Sequence, residues 1–363
     1  MSYKKRKYRK RIKTREHAYD PLSYIFIYLS RPCVGMSIPT ERTFVDVGAH
    51  KFKAHLVLEP AAGAIREEIQ RLSRDDHPRP RLPGPSPVSI ERSNFETLQK
   101  SEYLVCEKTD GVRVIAACIR YAGVKLMVVM DRALQVYLFP LRKVPRPMFQ
   151  GTILDAELAW DKLAGKFALA VFDAVVVSGV SVSHVSVYDR LIGASKALAA
   201  YAPHPDDPAL VFVKSFVPLH APALIRPFLD TISERFDVDG VILTPTRDPV
   251  VYGRHMSMFK LKTKGRHTVD FMVGKNGELQ IFDSKSKRHV TKGQMMFDIP
   301  PAKTIVECSH MGNGDPDIKF WKLVTVRVDK NAANDLVTYE ATMKNMRENL
   351  CLDDVLSLFE RDV

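Results

Sequence analysis

From Tyr103 onward, short apolar runs rich in Val, Ile and Tyr alternate with polar turns, the pattern of half-buried strands. Tyr103–Glu107, Val112–Arg120, Lys125–Met130, Gln135–Phe139, Gly151–Trp160 and Phe167–Val177 form a first set. Val187 to Tyr201 and Pro222 to Phe236 have helical spacing instead. Asp239–Thr244 and Met256–Lys262 return to strand. Beyond Lys264-Gly265-Arg266 a second set begins: Thr268–Val273, Glu278–Phe282, Thr304–Ser309 and Phe320–Asp329. These strands and their turn signals predict a small β-barrel. A helix from about Thr338 to Glu360 closes the chain.

Ahead of Tyr103 the pattern is less regular. Ala61 to Leu72 places Ile65, Ile69 and Leu72 on one helical face. Between Asp75 and Pro87, Pro78, Pro80, Pro83, Pro85 and Pro87 forbid a regular helix or central strand. Val88-Ser89-Ile90 and a short helical stretch, Asn94 to Lys100, follow. Strands in runs with few helices predict an α+β fold. A first domain spans 17–267, with a proline-rich segment at 75–87. A barrel domain spans 268–337. A helix over 338–363 packs back near the domain junction.

With 363 residues, 45% of them hydrophobic, the chain can bury the cores of about two domains. The formal net charge of +12 favours polyanionic partners such as nucleic acid or nucleotides. Part of it sits in residues 1–16, where Lys4-Lys5-Arg6-Lys7-Tyr8-Arg9-Lys10-Arg11 reads as a disordered basic tail. Its two readings are a nuclear-targeting or RNA-contacting arm and a solubilising tail. The five cysteines are scattered without CxxC spacing, which points to a reducing compartment and away from zinc or disulfide frameworks. No membrane-spanning or secretory segment is read.

The chemistry begins at Lys108-Thr109-Asp110-Gly111-Val112-Arg113. A lysine at the end of a strand becomes a nucleophile when neighbouring cations or a dry pocket lower its pKa. Gly111 lets backbone approach a phosphate or sugar, and Arg113 offers donors to oxyanions or hydroxyls. Asp155 and Glu157, two apart on a strand, point the same way and suit a magnesium ion or a ribose, or form a solvated face. Phe172 is either core or a base-stacking platform. Asp239-Gly240 is a turn or a metal position. Lys260 and Lys262 share a strand face, either an exposed basic edge or a repulsion that an anion between them relieves. Arg327 and Asp329 alternate likewise, with Lys330 and Asn334 beyond, as a surface ion-pair cluster or a site.

The order of these segments is Lys-x-Asp-Gly-x-Arg, Asp-x-Glu, Phe-Asp-Ala, Asp-Gly, Lys-x-Lys, Arg-x-Asp-Lys. It resembles the covalent nucleotidyltransferases, the superfamily of mRNA capping guanylyltransferases and ATP-dependent nucleic-acid ligases. Leu82 to Ile90, Tyr103 to Lys108, Phe259 to Lys262 with His267 to Phe271, and Trp321 to Asn334 most resemble the capping guanylyltransferases. Ala156, Leu261 and Ala333 depart from the family's usual glycine, tryptophan and proline. All three lie between the functional positions.

The resemblance implies a nucleotidyltransferase domain of the ligase type followed by an OB fold. It implies GMP transfer from GTP, through a lysine–GMP intermediate, to the 5′-diphosphate end of RNA. Lys108 would be the nucleophile. Arg113 and Glu157 would bind ribose, Phe172 would stack on guanine, and Lys214 would read the base. Lys260 and Lys262 would hold the α-phosphate and depress the Lys108 pKa, and Arg132 is a further phosphate candidate. Arg327, Asp329 and Lys330 would grip the β- and γ-phosphates. Glu157 and Asp239 would serve Mg²⁺ or Mn²⁺. Phosphatase and methyltransferase signatures are not read in the chain, so the RNA triphosphatase and cap methyltransferase would be separate partners. The phosphorylated tail of RNA polymerase II is a further family expectation. The basic tail suggests the nucleus, with a cytoplasmic compartment as the alternative. The rival readings are an ATP-dependent polynucleotide ligase and an inactive RNA-binding homologue.

Overall fold

The computed structural model describes residues 38–78, 81–262, 267–328 and 330–360, and the backbone of 23–25. The basic tail and Asp329 lie outside the described residues.

Strands β1 (Ser23–Ile25), β2 (Ile38–Val47) and β3 (His50–Val57) are antiparallel neighbours. The β2–β3 hairpin escapes the sequence pattern because charged residues crowd it: Phe52 and Ala54 turn inward while Lys51 and Lys53 face solvent. Helix α1 (Ala61–Ser73) buries Ile65 and Ile69, as its spacing predicts, and ends at Arg74 in the left-handed region. Strand β4 (Pro85–Ser89) emerges from the proline-rich stretch, followed by α2 (Phe95–Lys100).

Strands β5 (Tyr103–Thr109), β6 (Val112–Tyr121), β7 (Val124–Met130), β8 (Val136–Leu138), β9 (Thr152–Asp161) and β10 (Lys166–Val177) fall on the predicted runs. Then come β11 (Val180–Ser181), α3 (Val187–Leu198), β12 (Leu210–Val213), β13 (Val217–Pro218), α4 (Pro222–Arg235), β14 (Val238–Pro245) and β15 (Gly253–Lys262). One sheet runs β1-β2-β3-β8-β7-β6-β9-β10-β11, with β12 also on β10. It is apolar on both faces: Val114, Ala116 and Leu154 belong to one core, and Ile115, Ala117 and Ile153 to the other. The second sheet runs β13-β5-β14-β15-β4. Prolines 85 and 87 are tolerated in β4 because it is an edge strand, where a missing N–H breaks no ladder.

The barrel comprises β16 (Thr268–Val273), β17 (Glu278–Asp283), β18 (Arg288–Met295), β19 (Ile305–His310) and β20 (Phe320–Val326). It closes in the order β16-β17-β18-β20-β19, with β18 and β20 parallel. That is the five-stranded Greek-key arrangement of an OB fold. Trp321 fills it, 4.8 Å from the Phe271 ring and 4.6 Å from the His310 ring. Strand β18 is absent from the sequence reading, since Arg-His-Val-Thr-Lys-Gly-Gln-Met carries too few apolar residues to show alternation.

Two sequence expectations are corrected here. The last barrel strand stops at Val326 rather than Asp329, leaving Arg327 just past its end. The closing helix is two helices, α5 (Leu336–Glu348) and α6 (Leu352–Leu356). Asn349 breaks them apart by adopting φ +46°, a conformation asparagine tolerates. Helix α5 puts Met343 and Met346 into the barrel core, and Asn345 donates 3.2 Å to the Ile90 carbonyl. Val355 and Leu356 of α6 join the core beneath the second sheet.

Candidate active site

Lys108 is the next-to-last residue of β5, and its strand neighbour β14 carries Asp239. The ladder slips between Val238 and Val241, and Gly240 makes the bulge possible. Gly240 has φ +148°, and a Cβ there would lie 2.0 Å from the Leu261 carbonyl oxygen. The slip brings the Asp239 carboxylate to Lys108 Nζ, 2.7 Å from Oδ1 and 2.9 Å from Oδ2.

On β15, Phe259 and Leu261 enter the core while Lys260 and Lys262 alternate outward. Burial, then Lys262, Lys108 and Arg132, push the Lys260 amine down to about 8, and Asp239 opposes them. The departure at Leu261 is thus a core position, not a ligand position.

Glu107 and Thr109 flank Lys108 and both meet Lys214. The Lys214 ammonium lies 3.0 Å from Glu107 Oε1, donates 2.7 Å to Thr109 Oγ1 and 3.2 Å to the Glu107 carbonyl. Burial would depress this lysine, yet Glu107 and its other anionic neighbours raise it above the ordinary value.

Across the first sheet, Arg113 on β6 pairs in register with Glu157 on β9. Its guanidinium, however, forks onto Asp155, Nε to Oδ1 at 2.9 Å and Nη2 to Oδ2 at 2.5 Å. Their side chains are 6% and 0% exposed, so a solvated Asp155–Glu157 face is ruled out. Gly84 of the proline-rich segment roofs this pair: a Cβ there would fall 2.2 Å from Asp155 Oδ2. Glu157 remains half-buried beside Lys214, Lys108, Arg132 and Arg113; burial outweighs them and lifts its carboxyl to about 7.

Phe172 sits at a register slip of β10 between Val171 and Asp173, which turns its ring out of the core. The Arg113 guanidinium is 5.8 Å and the Lys214 ammonium 5.9 Å from its centroid. Gly111 is used differently from the expectation: a Cβ there would strike the Leu158 carbonyl at 2.5 Å, so the close approach is to β9.

The structure thus links Lys108, Arg113, Arg132, Glu157, Phe172, Lys214, Asp239, Lys260 and Lys262 into one cluster of charged side chains around an aromatic ring. Arg327 and Lys330 instead share Asp270 on the barrel. Arg327 Nη1 is 3.0 Å from Asp270 Oδ1 and 3.5 Å from Glu307 Oε2. The expected pairing of Arg327 with Asp329 falls on Asp329, which lies outside the described residues. The sequence reading took Asp155 for a ligand position beside Glu157 rather than as the partner of Arg113, and the roles of Glu107, Thr109 and Asp270 escaped it. Glu107 did carry a signal, a carboxylate inside an apolar run, which has to be paired when buried.

No group of three or more His, Cys, Asp or Glu able to hold a metal occurs among the described residues. Magnesium is commonly held by one or two carboxylates together with substrate phosphates, and Glu157 and Asp239 fit that limited role.

A strand-end lysine against a carboxylate, two further lysines across the sheet, an outturned aromatic ring and an OB barrel behind them define a covalent nucleotidyltransferase. The family model for the mRNA capping enzyme catalytic domain matches residues 54–264, and that for its C-terminal domain matches 247–356. The chain belongs to the mRNA capping enzyme family. It is 25% identical to the mRNA-capping enzyme subunit alpha of Schizosaccharomyces pombe, covering 76% of this chain and 79% of that one. Identity to the Neurospora crassa subunit alpha is 24%, over 81% and 88%. Against the mRNA-capping enzyme of Danio rerio it is 25%, over 88% of this chain and 56% of that one.

Proposed function

We propose that the chain is an mRNA 5′-cap guanylyltransferase that moves GMP from GTP to RNA through Lys108. The observation that carries this reading is the two-oxygen contact of Asp239 with Lys108 Nζ. An attacking amine must shed a proton, and Asp239 is placed to take it. The Lys108 lone pair then attacks the α-phosphorus, a P–N bond forms, and the bond to the β-phosphate oxygen breaks to release pyrophosphate. In the second step a terminal β-phosphate oxygen of 5′-diphosphate RNA attacks the same phosphorus. The P–N bond breaks and Lys108 recovers its proton.

Lys260 and Lys262 hold the α-phosphate, with Arg132 nearby. Phe172 stacks on guanine, and Lys214 donates to its O6 by exchanging one of its present contacts. Glu157 meets the ribose. Arg113, tied to Asp155, supports that subsite from below rather than reaching freely into it. Arg327, Asp329 and Lys330 grip the β- and γ-phosphates when the barrel swings toward Lys108. Glu157 or Asp239, with the substrate phosphates, would hold magnesium or manganese, which would neutralise charge on the leaving pyrophosphate. Separate RNA triphosphatase and cap methyltransferase chains, and the phosphorylated polymerase II tail, are the proposed partners, with the nucleus as the compartment. No described helix is long and apolar enough to cross a membrane.

Incubation with α-labelled GTP or ATP and a divalent metal, followed by denaturation, tests the reading. A GTP-specific, acid-labile adduct that is absent from Lys108→Ala supports it. Labelling by ATP alone indicates a ligase, and no adduct with either nucleotide indicates an inactive RNA-binding homologue.

A further inference from the structure

The barrel carries a surface that the GMP-transfer chemistry does not use. On the outer side of the β17–β18 hairpin, Phe282 and His289 are directly opposed partners. Their exposed rings meet edge to face with centroids 5.5 Å apart. The connecting segment, Asp283-Ser284-Lys285-Ser286-Lys287-Arg288, holds three cations against one carboxylate. Lys285, Lys287 and Arg288 are all exposed. Asp283 is committed locally, accepting from the Lys285 N–H at 2.9 Å and the Ser286 hydroxyl at 2.7 Å. Lys344 and Arg81, by contrast, are bound to Glu91 and Asp75. Among the described residues, none of these three has a carboxylate within ion-pair distance.

The hairpin is also fastened to the phosphate-gripping cluster. The Phe282 amide donates 3.1 Å to the Asn334 carbonyl. Asn334 in turn brackets Asp270, donating its N–H to the Asp270 carbonyl at 2.8 Å and accepting the Asp270 N–H through its side chain at 2.9 Å. Asp270 is the carboxylate that holds Arg327 and Lys330. Anything bound along Phe282 and His289 is therefore carried with those two cations as the barrel moves.

We propose that this hairpin binds single-stranded RNA downstream of the 5′ end, with bases stacking on Phe282 and His289 and phosphates meeting Lys285, Lys287 and Arg288. Two features favour RNA over a protein partner. Exposed aromatic faces beside unpaired cations suit a flexible polyanion with π-faces. The second and third strands are also the face through which OB folds take oligonucleotides. The inference rests on the guanylyltransferase reading for the identity of the RNA, and on the hairpin alone for the binding.

Anisotropy of a fluorescent single-stranded RNA of twelve nucleotides, titrated with the full chain at several salt concentrations, tests it. Lys285→Glu/Lys287→Glu/Arg288→Glu is expected to weaken binding at least tenfold and to flatten the log–log salt dependence by about 2, three phosphate contacts at roughly 0.7 each. Phe282→Ala/His289→Ala is expected to weaken binding several-fold and leave the salt slope in place, because stacking releases no counterions. Thermal unfolding of each variant separates loss of the surface from loss of the fold. Unchanged RNA affinity in both folded variants overturns the proposal, as does a wild-type chain that prefers a duplex of the same length. Failure of Lys108 labelling with this RNA pattern intact would remove the guanylyltransferase reading and leave the surface. Labelling intact with flat RNA binding would do the reverse.

Discussion

Lys108 Nζ rests between both carboxylate oxygens of Asp239, at 2.7 and 2.9 Å, although the two residues are 131 positions apart. The contact exists because β14 slips one register step at Gly240. Asp239→Asn keeps the shape and one acceptor but loses the ability to take a proton. It is expected to lower the rate of lysine–GMP formation by about 10²–10⁴, the usual worth of a general base. GTP affinity should change little by comparison. Single-turnover labelling at saturating GTP measures the rate, and a variant that labels at the wild-type rate would remove Asp239 from the proton's path.

Arg113 and Asp155 form a buried pair, and breaking such a pair on one side strands a charge. Asp155→Ala is expected to destabilise the chain by about 3–5 kcal/mol, read from urea unfolding. Gly84→Ala should act in the same direction, since its methyl would sit 2.2 Å from Asp155 Oδ2 and force the pair apart. Unfolding midpoints equal to wild type would mean that the roof over this pair yields without cost.

How much of this was legible in the chain varied with the interaction. Strands β5 to β10 follow apolar runs strong enough to show in sequence, and the outward alternation of Lys260 and Lys262 came with them. Pairings between distant carboxylates and cations did not show. Arg113 reads as a ligand donor until Asp155, 42 positions on, is seen to occupy its fork. The break at Asn349 was hidden because helical spacing runs on through Leu350 and Val355, while only the backbone angle reveals the turn.

Lys260 offers a proton-linkage prediction. The unfolded chain holds this proton up to 10.5, and the folded chain only up to about 8. The stability contributed by its neutral form is therefore present above 10.5 and lost as the pH falls through about 8. A bound triphosphate favours the charged amine and draws a proton in. Calorimetric titration of GTP at pH 8, with metal chelated and in buffers of different ionisation enthalpy, should show uptake of about half a proton. Lys260→Ala should abolish it. A binding heat independent of buffer would place the α-phosphate away from this lysine.

Arg327 and Lys330 supply the last test, because they share Asp270 on the barrel. A group that orients the leaving pyrophosphate matters only while pyrophosphate is leaving. Arg327→Ala and Lys330→Ala are therefore expected to slow lysine–GMP formation by about 10²–10³, the scale for losing one preorganised charge contact to a transition state. Transfer of preformed GMP to RNA should continue at close to the wild-type rate. Isolating labelled enzyme and chasing it with 5′-diphosphate RNA separates the two steps. If the chase slowed while labelling did not, these cations would belong to the RNA step. The barrel's part in expelling pyrophosphate would then have to fall to other residues.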